Sequence, residues 1–326
     1  MEMAPRLAFG VDLGGTNVRV VLGDEKGNIL ARLSQRTETR KGSEGVSKQI
    51  IKMISSIHVG GVKLEDVDGL GIGSAGPLDL ERGGLMKPTN IPYEFVPLVT
   101  PLEEKLGLRT FLLNDCSTGV MGERFFGAGK KAKNLAYITI STGIGGGIYV
   151  DDHLLVGKDG NATEIGHFTI DYDGRLICGC GKRGHWEAYC SGRRIPDFVD
   201  LIMEERSHTE LKRSVLSELR RRYGRITARR LYHSAKRGDK LAIEIAEEIG
   251  KLNAVGFACV NDAYDPSLIT VGGSVTLNNV ELVVEPIRRH IGEHSRNRVP
   301  EIVDTPLGQD VVIYGALAMV FNQVNP

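Results

Sequence analysis

A glycine turn set between two short apolar runs is the pattern that most narrows the fold, and the chain carries it twice. In the first half, residues 7–11 and 18–22 read as paired strands around Asp12-Leu13-Gly14-Gly15-Thr16-Asn17. In the second half, 135–140 and 146–150 flank Thr142-Gly143-Ile144-Gly145-Gly146-Gly147. A turn without β-carbons lets backbone N–H groups come close to an anion. Thr16 and Thr142 add hydroxyl donors, and the Asp12 carboxylate is the kind of group that holds Mg²⁺ through water beside phosphates. Either turn alone reads as an ordinary hairpin. The two together suggest a duplicated α/β architecture that binds phosphate groups, although no direct sequence repeat is visible.

The rest of the chain fits that architecture. Apolar residues at 46, 50, 51, 54 and 57 recur at helical spacing, and 67–72 and 110–113 read as buried strands. Between them, 76–101 is irregular and rich in Gly and Pro. A helix is expected from 115 to 126, a largely helical region over 193–262, a strand at 267–271, and helices at 281–291 and 311–324. At 326 residues two domains are expected, with the break near Asp115: residues 1–115, joined by the closing helix 311–326, and residues 116–310.

Composition excludes several functions. Lys+Arg and Asp+Glu both number 41, so no global basic field exists to attract nucleic acid. The basic stretch 212–237 is interleaved with Glu and apolar residues and reads as a solvated helical face. No apolar run is long enough for a membrane span, and the first residues lack a signal-peptide core. The cytoplasm is the expected compartment. Three of the five cysteines crowd into 178–190, a pattern that in the cytosol indicates metal sooner than disulfides.

That cluster is the second constraint. Cys178 and Cys180, with His167 upstream and His185 downstream, offer four ligands of the type a tetrahedral Zn²⁺ prefers, in a Gly-rich loop. Four protein ligands close the coordination sphere, so the metal is expected to be structural. Cys190 is a competing ligand, while Cys116 and Cys259 look like core thiols. Glu164 and Glu187 would be held by the metal-tied segments, and His167 could offer its second ring nitrogen to a hydroxyl.

Asp115 follows the apolar run 110–113 and Asn114, where a strand gives way to a helix. It can be an N-cap, or a base that takes a proton from a hydroxyl in phosphoryl transfer. Asn114 can both donate to and accept from a polar substrate. Two nucleotide-binding motifs fail. There is no G-x-x-x-x-G-K-[ST], and the G-x-G-x-x-G at 71–76 runs into Pro77 without opening a helix on a pyrophosphate. Gly272-Gly273 is a generic strand-to-helix turn, of interest if phosphates are bound elsewhere and a nucleoside must be seated.

With these residues assembled, the chain resembles the ROK family (repressors, open reading frames, kinases) of the actin-like/hexokinase ATPase superfamily. The likeness covers essentially the whole chain: 12–16, 141–147 leading into Glu164-Ile165-Gly166-His167, and Cys178-Gly179-Cys180-Gly181 through Gly184 and Glu187-Ala188-Tyr189. The family usually has a third cysteine where this chain has His185, so a His₂Cys₂ site is expected.

The resemblance implies two actin-like (ribonuclease H-like) ATPase domains with a cleft between them, and a homodimer or higher homo-oligomer. It implies an ATP-dependent hexose kinase, foremost a glucokinase, with an N-acetylmannosamine or N-acetylglucosamine kinase as the alternative. Asp115 would be the base on the sugar 6-hydroxyl. Gly76, Asn90, Asn114, Glu164, His167 and Glu187 would lie at the sugar. ATP phosphates would lie between the turns at Asp12, Gly14, Gly15, Thr16, Asn17 and at Thr142, Gly143, Gly145, with the nucleoside near Gly272 and Gly273. A sugar-responsive repressor needs a helix-turn-helix segment, for which a first strand at Leu7 leaves no room. A chaperone-like ATPase would share the phosphate turns but not the zinc loop or the Asn114-Asp115 pair.

Overall fold

The computed structural model describes residues 5–88 and 91–323. The first part of the chain runs β1 (Leu7–Leu13), β2 (Asn17–Asp24), β3 (Ile29–Arg36), α1 (Gly45–Ser55), β4 (Val67–Ser74), β5 (Leu78–Asp79), β6 (Gly84–Met86), β7 (Phe95–Pro97), α2 (Val99–Leu106), β8 (Thr110–Asn114) and α3 (Asp115–Phe125). The second runs β9 (Leu135–Ile140), β10 (Ile144–Val150), β11 (His153–Leu154), α4 (Glu187–Cys190), α5 (Ile195–Glu204), α6 (His208–Lys212), α7 (Val215–Tyr223), α8 (Ala228–Lys236), α9 (Lys240–Tyr264), β12 (Leu268–Gly272), α10 (Ser274–Leu277), α11 (Val280–His290), β13 (Glu301–Asp304) and α12 (Val311–Phe321).

Contacts divide the chain into two units: 1–132 with 147–163 and 309–326, and 133–146 with 164–308. The first crossing therefore falls after α3, beyond the expected break at Asp115. The reason is packing. α3 lies against α12 in the first unit, and a β-carbon on Gly315 or Gly122 would overlap the Thr118 or Val311 carbonyl of the facing helix. That close approach needs glycine on both helices.

The main sheet of the first unit has the order β3-β2-β1-β4-β8. β1 and β2 form the hairpin read from the sequence, while β4 and β8 add in parallel. β1 is almost wholly buried, as a strand covered on both faces must be, which is why it reads as an unbroken apolar run. α12 packs on β1 and β4 and is buried nearly all round, so its sequence shows no polar face. Gly71 of the G-x-G-x-x-G run lies beneath α12, where a β-carbon would overlap the Ala316 carbonyl. Gly73 meets Val312 and Thr118 in the same way, so both glycines serve helix packing.

The Gly- and Pro-rich stretch 76–101 is not wholly irregular. It holds a three-stranded antiparallel sheet, β5-β6-β7, whose strands of two or three residues are too short to carry a period.

In the second unit β9, β12 and β13 are parallel, with the start of β10 beside β9; β10 then continues into the first unit, where β11 pairs with it. α9, 25 residues long, forms the backbone of this unit. The Asp239 side chain caps it by accepting from Ala242 N at 2.9 Å. Its Gly256 leaves room for the buried Trp186 indole, whose Nε1 donates to Asn253 Oδ1 at 2.8 Å. Among the described residues no helix is long and apolar enough to cross a membrane.

Candidate active site

Three neighbouring parallel strands of the first unit end together. Leu13 pairs with Ser74, and Ser74 with Asn114, so the glycine turn after β1, Gly76 after β4 and Asp115 after β8 gather at one edge of the sheet. The carboxyl edge of parallel strands is where open α/β sheets bind ligands.

Asn114, not Asp115, caps α3: its Oδ1 accepts from Ser117 N at 2.7 Å. Asp115 is thereby released from the capping role and becomes the first helical residue, half-buried. Burial, reinforced by the nearby Asp12 charge, raises its carboxyl above the ordinary aspartate range. Asp12 is likewise raised by burial, although Arg19 pulls in the opposite direction.

Asp12 and Arg19 face each other across the β1–β2 pair, and both Arg19 bonds to Asp12 fall on Oδ2, Nε at 2.8 Å. Arg19 Nη1 also reaches Asp310 Oδ1 at 2.9 Å, and Arg32 holds the other Asp310 oxygen at 2.7 Å. The turn itself is fixed by Gly14 N donating to Asn17 O at 2.9 Å and by Thr37 Oγ1 donating to Gly14 O at 2.7 Å. Gly15 is half-buried, and Thr16 and Asn17 are exposed. Gly76 has open space where a side chain would stand, its nearest neighbour being Leu78 N at 3.6 Å. Asn90 lies outside the described residues.

In the second unit, the turn at 141–143 is closed by Ser141 N donating to Gly143 O at 2.9 Å. Thr142 is exposed, while Gly145 lies already within β10. Glu187 is tied to this turn: its Oε2 accepts from Ile144 N at 3.0 Å, close against Gly143. Glu187 Oε1 meets the Cys178 thiol at 3.8 Å.

His167, Cys178, Cys180 and His185 converge, with all their ligand atoms within 4.8 Å of one another. His167 Nδ1 is 3.7 Å from Cys178 Sγ, and His185 Nδ1 is 3.3 Å from Cys180 Sγ. Bonds of zinc length in a tetrahedron would put such atoms about 3.3–3.8 Å apart, so the donor set fits that ion. His185 is held toward its neutral form by burial and by the neighbouring His167, as a ligand must be. Burial pushes the Cys178 thiol up to about 11. Cys190 does not join the group, because its Sγ is buried against Ile249 O at 3.6 Å. With Nδ1 turned to the sulfurs, His167 presents Nε2 toward Glu164 Oε2 at 3.8 Å.

Sequence reasoning missed a cavity of about 840 Å³ in the second unit, lined by Thr142, Arg193, Arg229, Lys236, Ser274 and Asn279 among others. It adjoins the turn after β12. Gly272 is packed beneath, against Tyr137, and Gly273 takes a left-handed φ of 88° in a place where a β-carbon would overlap the Ile140 carbonyl. The basic stretch 212–237 is accordingly only in part a solvated face: Arg220 pairs with Asp200 at 3.2 Å, while Arg229 and Lys236 of α8 point to this cavity. The lining comes from four segments far apart in the chain, which no local pattern could join.

Comparison with known proteins gives the family. Residues 8–323 match the ROK family. A glucokinase of Pyrobaculum calidifontis is 35% identical over 313 residues, 96% of this chain and 94% of that one. A glucokinase of Thermotoga maritima is 31% identical over 325 residues, 98% of this chain and 99% of that one. Among solved structures, a ROK family glucokinase from Streptomyces griseus in complex with glucose and AMPPNP is similar at a TM-score of 0.75 and 30% identity, covering 97% of this chain and 99% of that one. The fold is thus the mixed α/β, actin-like ATPase fold of those sugar kinases. With the glycine turns, the aspartate at the strand ends and the Cys/His loop all in place, the chain belongs to the ROK family.

Proposed function

We propose that this protein is an ATP-dependent hexose kinase that transfers the γ-phosphoryl group of ATP to the 6-hydroxyl of glucose. The observation that carries the reading is Asp115, freed from capping by Asn114 and raised by burial and the Asp12 charge, at the shared edge of β1, β4 and β8. Relatives named glucokinase over nearly the whole chain support the same substrate.

In this reading Asp115 takes the proton of the attacking hydroxyl, and a raised carboxyl is a stronger base for that step. Asn90, Asn114, Glu164, His167 and Glu187 orient the sugar, with Gly76 leaving space beside it. The backbone amides of Gly15 and Thr16, in the turn that Gly14 N closes on Asn17 O, and those of Thr142 and Gly143 hold the phosphates. Asp12, with Oδ1 outside the Arg19 bonds, suits Mg²⁺ held through water. The cavity beside Gly272 and Gly273 receives the nucleoside. Zn²⁺ held by His167, Cys178, Cys180 and His185 would supply rigidity to the loop bearing Glu164 and Glu187, and no chemical step passes through it. The two units serve as the two kinase lobes, and assembly as a homodimer or higher homo-oligomer belongs to the same reading.

The decisive experiment is a substrate panel with purified protein and ATP-Mg²⁺, scored by kcat/KM, because discrimination between acceptors lies in that ratio. Glucose is expected to lead. N-acetylmannosamine or N-acetylglucosamine at the head of the panel would move the acceptor within the family, and no phosphorylation of any hexose or N-acetylhexosamine would overturn the reading.

A further inference from the structure

The cavity beside the 141–143 turn is lined by three cationic side chains, Arg193, Arg229 and Lys236, and by no carboxylate. In a chain with equal numbers of basic and acidic residues, that imbalance is local. It marks a place for an anion.

Arg193 differs from the other two in how its backbone is held. Gly192 N donates to Ser141 O at 2.7 Å and Arg193 N donates to Thr142 O at 3.2 Å, which straps this segment to the turn itself. A β-carbon on Gly192 would come within 2.8 Å of Ser141 O, so only glycine permits the approach. The next residue, Arg194, is neutralised by Asp197 at 3.2 Å. Arg193 has no ion pair among the described residues and projects from an exposed position into the cavity lining. Lys236, by contrast, donates to Asn278 O at 2.5 Å. An unpaired guanidinium with a fixed root beside a phosphate turn presents a planar fork of N–H donors, the geometry that matches phosphate oxygens two at a time.

We propose that Arg193 is the clamp on the phosphoryl donor: its guanidinium bonds the phosphate oxygens of the nucleoside triphosphate seated at the 141–143 turn. The inference rests on the kinase reading above and adds a residue and a role to it. Arg193 governs capture of the donor, not the proton transfer at the sugar.

The test measures KM for ATP and for glucose separately in the wild type, R193A, R193K and R221A, the last an exposed α7 arginine outside the cavity. The wild-type assay establishes the underlying reading first. R193A is expected to raise KM for ATP roughly tenfold or more, the loss of charge-assisted bonds to phosphate, and to leave KM for glucose unchanged. R193K should recover part of the affinity and R221A should behave as wild type. Added KCl should raise KM for ATP more steeply in the wild type than in R193A, because the screened charge is the one removed. If R193A fails to fold, R193Q, which keeps length and polarity without charge, carries the same readings. An active wild type whose R193A variant keeps its KM for ATP overturns the proposal while leaving the kinase standing. So does an equal rise in both KM values with no rescue by lysine, which would show a packing role. A wild type with no kinase activity overturns both.

Discussion

At the scale of single residues, the account turns on which of two adjacent side chains caps α3. From sequence alone Asp115 could have been the cap, since aspartate and asparagine serve equally there. The backbone decides it: Asn114 is extended and accepts from Ser117 N, so Asp115 is not the cap, and its carboxylate instead takes hydrogen bonds from Cys116, which oppose the rise that burial causes. Its raised pKa has two consequences of opposite sign. The base must be ionised to act, so kcat/KM for the sugar falls as pH drops through a value above the ordinary aspartate range. That acid limb belongs to Asp115 and Asp12 jointly, because the two charges interact. For stability, a carboxyl raised in the fold favours the protonated protein; its contribution is full below the unfolded value of 3.8 and is lost as pH rises through the folded one. D115N should therefore melt higher than wild type at pH 7, with the gap closing as pH falls toward 3.8. Thermal melts across that range check the sign, and a D115N variant less stable than wild type at neutral pH would contradict it.

At the scale of elements, legibility followed length and locality. β1, β2, β4, β8, β9 and β12 showed themselves as apolar runs and α1 by its period, because each buries a continuous face within one segment, while α9 lies within the stretch 193–262 read as largely helical. The β5–β7 sheet and β13 were not legible, since a few residues held by pairing alone leave no pattern. The Cys/His cluster was legible because its four side chains lie close in sequence. The hydrogen bond from Ile144 N to Glu187 was not, since it joins residues on separate elements. The loop yields its own prediction. Elemental analysis should find one zinc per chain, held by the four residues that converge within 4.8 Å. Stripping the metal, or C178S, should lower the melting temperature and raise KM for glucose. A metal-free preparation with unchanged melting and unchanged KM would show that the ligand cluster carries no ion.

At the scale of the whole molecule, the chain forms two α/β units, each with a glycine turn between a pair of strands, and the duplicated pattern in the sequence pointed to such a pair. What the sequence could not show was the cationic cavity, assembled from residues 141–142, 192–193, 227–236 and 274–279 only when the chain folds. Phosphate turns of this kind also serve ATPases that use no sugar, so the central claim is that ATP cleavage here is tied to a carbohydrate hydroxyl through Asp115. The most direct measurement follows ATP consumption and glucose 6-phosphate formation together, with and without glucose, in wild type and D115N. The account predicts equal rates of the two in wild type, negligible ATP loss without sugar, and a fall in kcat of about 10²–10⁴ in D115N, the usual worth of a general base. ATP hydrolysis that proceeds without sugar, or a D115N variant as fast as wild type, would contradict it.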